Sequence, residues 1–125
     1  MEFYSLTDKN TRRTFREATI EGQAPDGGLY FPSAIPTLPA GFNWKEASRE
    51  EIAFQLLQPY VGDCLTEEVL RRIIQETIDF PFPLLKVYDD LYALELFHGP
   101  TLAFKDTGAR FMSRCLGQFA ASRDR

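Results

Sequence analysis

Among the four lysines of this 125-residue chain, Lys105 is placed where a lysine is costly. A helix begun near Thr101 and projected at about 100° per residue sets Lys105 at the centre of an arc with Leu102, Ala109, Met112, Leu116 and Phe119. Asp106, Arg110, Ser113, Arg114 and Gly117 fall on the opposite, wet side. An unpaired ammonium withdrawn from water tends to lose its proton, and lysine pKa values fall by several units in such surroundings. The neutral amine that remains is a nucleophile, able to condense with an aldehyde to an imine. A competing reading has Lys105 snorkelling past the apolar rim or pairing with Glu95 or Asp106, as most lysines on mixed helix faces do. Just upstream, Gly99-Pro100-Thr101 supplies a tight turn, and the free N–H groups of a helix start suit a phosphate or carboxylate.

The elements that must position this amine are legible in outline. Phe3-Tyr4-Ser5-Leu6 reads as a strand, and Thr14 with Glu17 has capping-box spacing for a helix that Gly22 stops. After Pro25-Asp26-Gly27-Gly28, Leu29-Tyr30-Phe31 reads as a strand closed by Pro32. Ser48 with Glu51 repeats the capping pattern, and Ile52, Leu56 and Tyr60 predict an amphipathic helix running into Pro59. A further helix follows Thr66, with Val69, Leu70, Ile73, Ile74 and Ile78 on its apolar stripe and Glu67, Glu68, Arg71, Arg72 and Gln75 on its wet face. Phe80-Pro81-Phe82-Pro83 then forces extended backbone and marks a boundary. Leu84 to Tyr88 and Leu91 to Phe97 form a hairpin about Asp89-Asp90. The predicted organisation is an α+β domain over residues 1–79 and, past the boundary, a hairpin and a helix over 80–125 that open a second unit.

Composition excludes several classes of function. A formal charge of −4, with acidic and basic residues interspersed, leaves no basic stripe for nucleic acid. No apolar run approaches the roughly 20 residues of a membrane span, and Met1-Glu2-Phe3-Tyr4-Ser5 does not open an export signal, so a cytoplasmic location is the expectation. Cys64 and Cys115 lie far apart and away from His98 at metal spacing, so both are read as buried or idle thiols, with no disulfide and no metal site.

Residues 95 to 106, Glu-Leu-Phe-His-Gly-Pro-Thr-Leu-Ala-Phe-Lys-Asp, followed by Gly108-Ala109-Arg110-Phe111-Met112, closely resemble the lysine segment of threonine synthases. Gly27-Gly28-Leu29-Tyr30-Phe31-Pro32 is similar to the glycine–aromatic–proline element near the start of the same enzymes, in the same order, so the resemblance covers essentially the whole chain. It implies an α+β N-terminal domain leading into the start of an α/β fold-type II, tryptophan-synthase-β-like pyridoxal-phosphate enzyme. It also implies that Lys105 is both the cofactor-binding and the catalytic residue, holding pyridoxal 5'-phosphate as an imine and then shuttling protons as O-phospho-L-homoserine and water become L-threonine and phosphate. Thr107 stands where many of these enzymes carry phenylalanine. The motif includes His98, whose part is either a structural hydrogen bond or proton transfer.

Enzymes of this resemblance run to several hundred residues, whereas the chain ends twenty residues after Lys105. The expectation is a fragment that is inactive alone and holds the cofactor weakly, because an imine in water hydrolyses unless its phosphate is anchored and solvent excluded. A further expectation is a C-terminal helix that is frayed or covered by a second copy of the chain. Two rival functions remain at this point: a related phospho-lyase for another phosphorylated amino compound, and a non-catalytic binding or oligomerisation module with Lys105 merely solvated.

Overall fold

The structure, a computed structural model, describes residues 1–121. It opens with β1 (Glu2–Ser5), β2 (Arg12–Thr14), α1 (Phe15–Glu21) and β3 (Tyr30–Pro32). The three strands form an antiparallel sheet in the order β2-β1-β3. Tyr4 lies opposite Phe31, with the two rings edge-on at 6.2 Å, a cross-strand aromatic pair of the kind that fixes register. The strand at Arg12–Thr14 was not expected; three residues with two arginines carry too little periodicity to be read. Thr14 and Glu17 make the full capping box, and Gly22 closes the helix at φ +74°.

Two antiparallel helices follow, α2 (Arg49–Val61) and α3 (Glu67–Thr77). Ser48 caps the first by accepting from the Glu51 N–H. The Glu51 carboxylate does not return to the cap, however, but accepts from Gln55 Nε2 at 2.9 Å and Arg71 at 2.8 Å. The helix also passes through Pro59 rather than stopping there. Its inward side is Phe54, Leu57 and Val61, whereas Leu56 is exposed; the face expected from Ile52, Leu56 and Tyr60 is rotated. The reason is the Arg71 guanidinium, which lies 3.9 Å over the Phe54 ring and draws that edge of α2 onto α3. In α3 the predicted stripe packs as read, with Leu70, Ile73, Ile74 and Ile78 buried and Val69 at the edge.

Next, β4 (Leu84–Tyr88) and β5 (Leu91–Leu94) form an antiparallel hairpin turning at Asp89, whose φ is +41°. The second strand ends at Leu94, short of the expected Phe97. Every residue of both strands is exposed. The last element, α4 (Asp106–Ala121), lays Phe111, Cys115 and Phe119 against α1 and α3. Phe15 of α1 meets Phe119 at 6.1 Å and Phe111 at 6.4 Å. One hydrophobic core therefore joins α1 to α4, while the hairpin projects from it.

Both cysteines are free thiols. Cys115 is completely buried, and burial pushes its thiol up to about 12, so it packs as an inert hydrophobe. Among the described residues no helix is long and apolar enough to cross a membrane, and no cluster of His, Cys, Asp and Glu could hold a metal ion.

Candidate functional site

Residues 99–106 do not begin a helix; they form a locked turn that ends in one. Leu102 N–H donates to the Gly99 carbonyl at 3.1 Å, and Asp106 N–H to the Ala103 carbonyl at 3.1 Å. Leu102 adopts φ +57°, a left-handed conformation that strains a residue with a branched side chain. Only after this does the α-helical pattern start, with Ala109 N–H donating to the Lys105 carbonyl at 3.0 Å. Apolar packing contributes little here, since Leu102 and Phe104 are 76% and 66% exposed.

What closes the turn is the Asp106 carboxylate. It is buried, accepts the Thr101 backbone N–H at 2.9 Å, and also accepts the Thr101 hydroxyl. The Thr101 hydroxyl, then its backbone N–H, hold this carboxyl below the usual aspartate value against the opposing effect of burial, with the Arg110 charge adding a smaller pull. Gly99 is obligatory beside it, because a Cβ there would lie 2.5 Å from Asp106 Oδ2. Of the phosphate or carboxylate expected near Thr101, the structure supplies a carboxylate from within the chain, and the helix itself starts later, at Asp106. Sequence reasoning placed Asp106 on the wet face and missed this role. The signal was the glycine, threonine and aspartate bracketing a loop, the composition of a polar turn.

Lys105 sits immediately before Asp106 and faces the other way. It is exposed, and among the described residues no carboxylate pairs with it; Glu95 is taken by His98 and Asp106 by Thr101. Its side chain borders an open depression formed with Phe104, Gly108, Ala109 and Met112. The helix projection is therefore corrected in phase. Leu102, Ala109 and Met112 are exposed with Lys105, whereas Phe119, at the edge of the same expected arc, is buried and Leu116 half-buried, and the wet side expected of Arg110 and Arg114 lies against α3. The cause is the competition of two apolar arcs on α4, which the row Phe111, Cys115 and Phe119 wins by meeting the aromatic cluster on α1. The amine is not withdrawn from water by its own helix within these residues.

Arg110 and Arg114 do structural work at that junction. Arg110 donates to the Glu76 carbonyl and to Asp79 Oδ2, each at 2.6 Å, and Arg114 donates to Glu76 Oε2 at 2.9 Å. The last turn of α3 has no basic residue of its own, so α4 delivers the cations that its carbonyl end favours.

His98 shares a 2.6 Å hydrogen bond between Nε2 and Glu95 Oε2, and its ring stacks on Phe97 at 4.7 Å. The Glu95 N–H in turn donates to the Pro83 carbonyl at 2.9 Å, anchoring the segment to the hairpin's base. The Thr107 hydroxyl, at the position singled out in the sequence, is buried and has no hydrogen-bond partner among the described residues.

A carbonyl cofactor such as pyridoxal phosphate would find one of its contacts here. An exposed amine stands on a fixed turn, and nothing lies within 4 Å of where a Cβ on Gly108 would project, so a planar ring has room beside it. These residues fit the imine-forming end of such a group.

Comparison with known proteins bears on the chain as a whole. A family model described as threonine synthase N terminus matches residues 2–78. The chain is 38% identical to threonine synthase of Serratia marcescens, over 96% of this chain and 28% of that protein. Among solved structures, threonine synthase from Escherichia coli superposes with a TM-score of 0.84 at 35% identity, covering 96% of this chain and 28% of that one. The PLP-bound threonine synthase from Brucella melitensis superposes with a TM-score of 0.90 at 31% identity, covering 100% and 28% respectively. The chain thus spans somewhat more than a quarter of the length of the proteins it matches.

Proposed function

The chain belongs to the threonine synthase family, and from that premise we propose that it is the N-terminal part of a pyridoxal-phosphate-dependent lyase that converts O-phospho-L-homoserine and water to L-threonine and phosphate. In this reading residues 1–79 are the N-terminal domain, and residues 80–125 begin a fold-type II catalytic domain in a cytoplasmic enzyme. Lys105 is the cofactor-binding and catalytic residue. The observation that carries the reading is the placement of Lys105: an unpaired amine, turned outward at a helix start whose backbone is fixed by the buried carboxylate next to it.

When bound, the cofactor supplies the electron-withdrawing ring that makes protons next to the amino carbon acidic. The chain's own contribution is to hold the Lys105 nitrogen in one place, first as the attachment point and then as the base that takes and returns those protons. His98, tied to Glu95, keeps the preceding strand end in place. Phosphate anchoring and the exclusion of water fall to the remaining part of the enzyme, so the 125-residue chain alone turns over no substrate and holds the cofactor weakly.

Borohydride reduction of the complete protein loaded with pyridoxal phosphate tests this. A pyridoxyl group should be found at Lys105 and not at Lys9, Lys45 or Lys86, and phosphate should be released from O-phospho-L-homoserine. A complete protein that released none with Lys105 intact would refute the proposed activity.

A further inference from the structure

We infer that Asp106 is a positioning residue for the Lys105 amine, acting through Thr101 and against Gly99 to fix the backbone from which that amine projects. The inference rests on the reading of Lys105 as the imine-forming lysine.

Residues 102–105 lie between a tight turn and a helix, and have few other constraints. Leu102 and Phe104 are largely exposed, so apolar burial does not hold them. Two backbone hydrogen bonds span the segment, Leu102 to Gly99 and Asp106 to Ala103. Neither dictates that Leu102 be left-handed, and strain of that kind persists only where the surroundings over-determine it. The over-determining contact is the Asp106 carboxylate, with one oxygen on the Thr101 N–H and the other on the Thr101 hydroxyl. That pair of bonds closes a ring across residues 101–106 and leaves Lys105 as the residue next to the clasp.

The opposed directions of the two neighbours follow from this. Asp106 is 6% exposed, whereas Lys105 is exposed beside Gly108 and Met112. Successive residues at a helix start leave the axis about 100° apart, so the carboxylate's grip fixes the direction in which the neighbouring amine leaves the backbone. Gly99 confirms how tightly the clasp is fitted, because a Cβ there would also lie 2.9 Å from the Asp106 Cβ. A nucleophile displaced by about 1 Å can lose about a hundredfold in rate, which gives such a clasp a functional consequence.

The test uses the complete protein, with wild type, Asp106→Ala, Thr101→Val, Thr101→Ser and, as a control remote from the turn, Thr66→Ala. Each is titrated with pyridoxal phosphate while the imine absorbance is followed, and the adduct at Lys105 is quantified after borohydride reduction. Asp106→Ala should weaken imine formation by about tenfold and Thr101→Val by about threefold. Thr101→Ser, which keeps the hydroxyl, should restore it, and Thr66→Ala should leave it unchanged despite lowering thermal stability. If Asp106→Ala forms the imine as readily as wild type, the inference is overturned. It is overturned equally if Thr66→Ala weakens the imine as much as Asp106→Ala, since the effect would then be general stability. Should Asp106→Ala fail to fold, the Thr101→Val and Thr101→Ser pair decides: equal weakening in both counts against the clasp. A wild type with no adduct at Lys105 would sink the functional reading itself, an outcome distinct from a wild type that reacts and an Asp106→Ala that matches it.

Discussion

The two sides of α4 have opposite characters although they are built from the same kinds of residue. Towards α1 and α3, Cys115 and Phe119 are buried and Phe111 is packed against Phe15. Away from them, Met112 is 54% exposed and borders a depression with Phe104 and Lys105. The first side shows ordinary core formation, in which aromatic rings and aliphatic chains exclude water together. On the second, the exposed apolar side chains of Phe104 and Met112 flank the one lysine that the family motif singles out. Under the proposed function, stability and chemistry are thus assigned to different faces of one helix.

Substitutions on the two sides should separate these properties. The largest effect belongs to Lys105→Ala in the complete protein, which should lower phosphate release by about a thousandfold or more while leaving the unfolding midpoint within about 2 °C of wild type. A large loss of stability would show that the exposed side also supports the fold. Leu70→Ala removes a side chain that is 1% exposed and should cost about 2–5 kcal/mol in denaturant unfolding. Thr66→Ala deletes the α3 cap and should cost about 1 kcal/mol by the same measurement. Smaller still, Thr107→Val replaces an unpaired buried hydroxyl with a methyl group and should be neutral or stabilising by up to about 1 kcal/mol. Leu84→Ser on the exposed hairpin should change stability by less than about 0.5 kcal/mol in denaturant unfolding.

Acidification probes the clasp separately from the core. The folded Asp106 carboxyl lies below its unfolded value, so its contribution is complete above about pH 4, the ordinary aspartate value, and is lost as pH falls through the depressed folded value. The Thr101 amide resonance should therefore hold steady down to about pH 4 and move only below it. A midpoint above that pH would contradict the clasp.

Local signals were the readable ones. Thr14, Ser48 and Thr66 cap helices because a hydroxyl and the N–H three residues on satisfy each other without reference to the rest of the chain. The α3 stripe was also plain, since its apolar and charged residues separate cleanly on one helix. The phase of α4 was not, because its sequence offers two apolar rows and the choice between them is made by Phe15, about a hundred residues earlier. Nor could the start of α4 be read: nothing in the residue type announces a left-handed Leu102, and a carboxylate reaching back five residues looks like any acidic first turn. Lys105 was identified by its motif, and the helical argument for its burial failed for the same reason of phase.

The bonds from Arg110 and Arg114 to the end of α3 carry a mechanical implication. They bolt α4 to its neighbour within about two and a half turns of Lys105, so the amine takes its coordinates from the frame of α3. A tilt of α3 would swing the nitrogen like the end of a crank. Whatever leans on the N-terminal helices thereby gains leverage over the Lys105 amine without touching it.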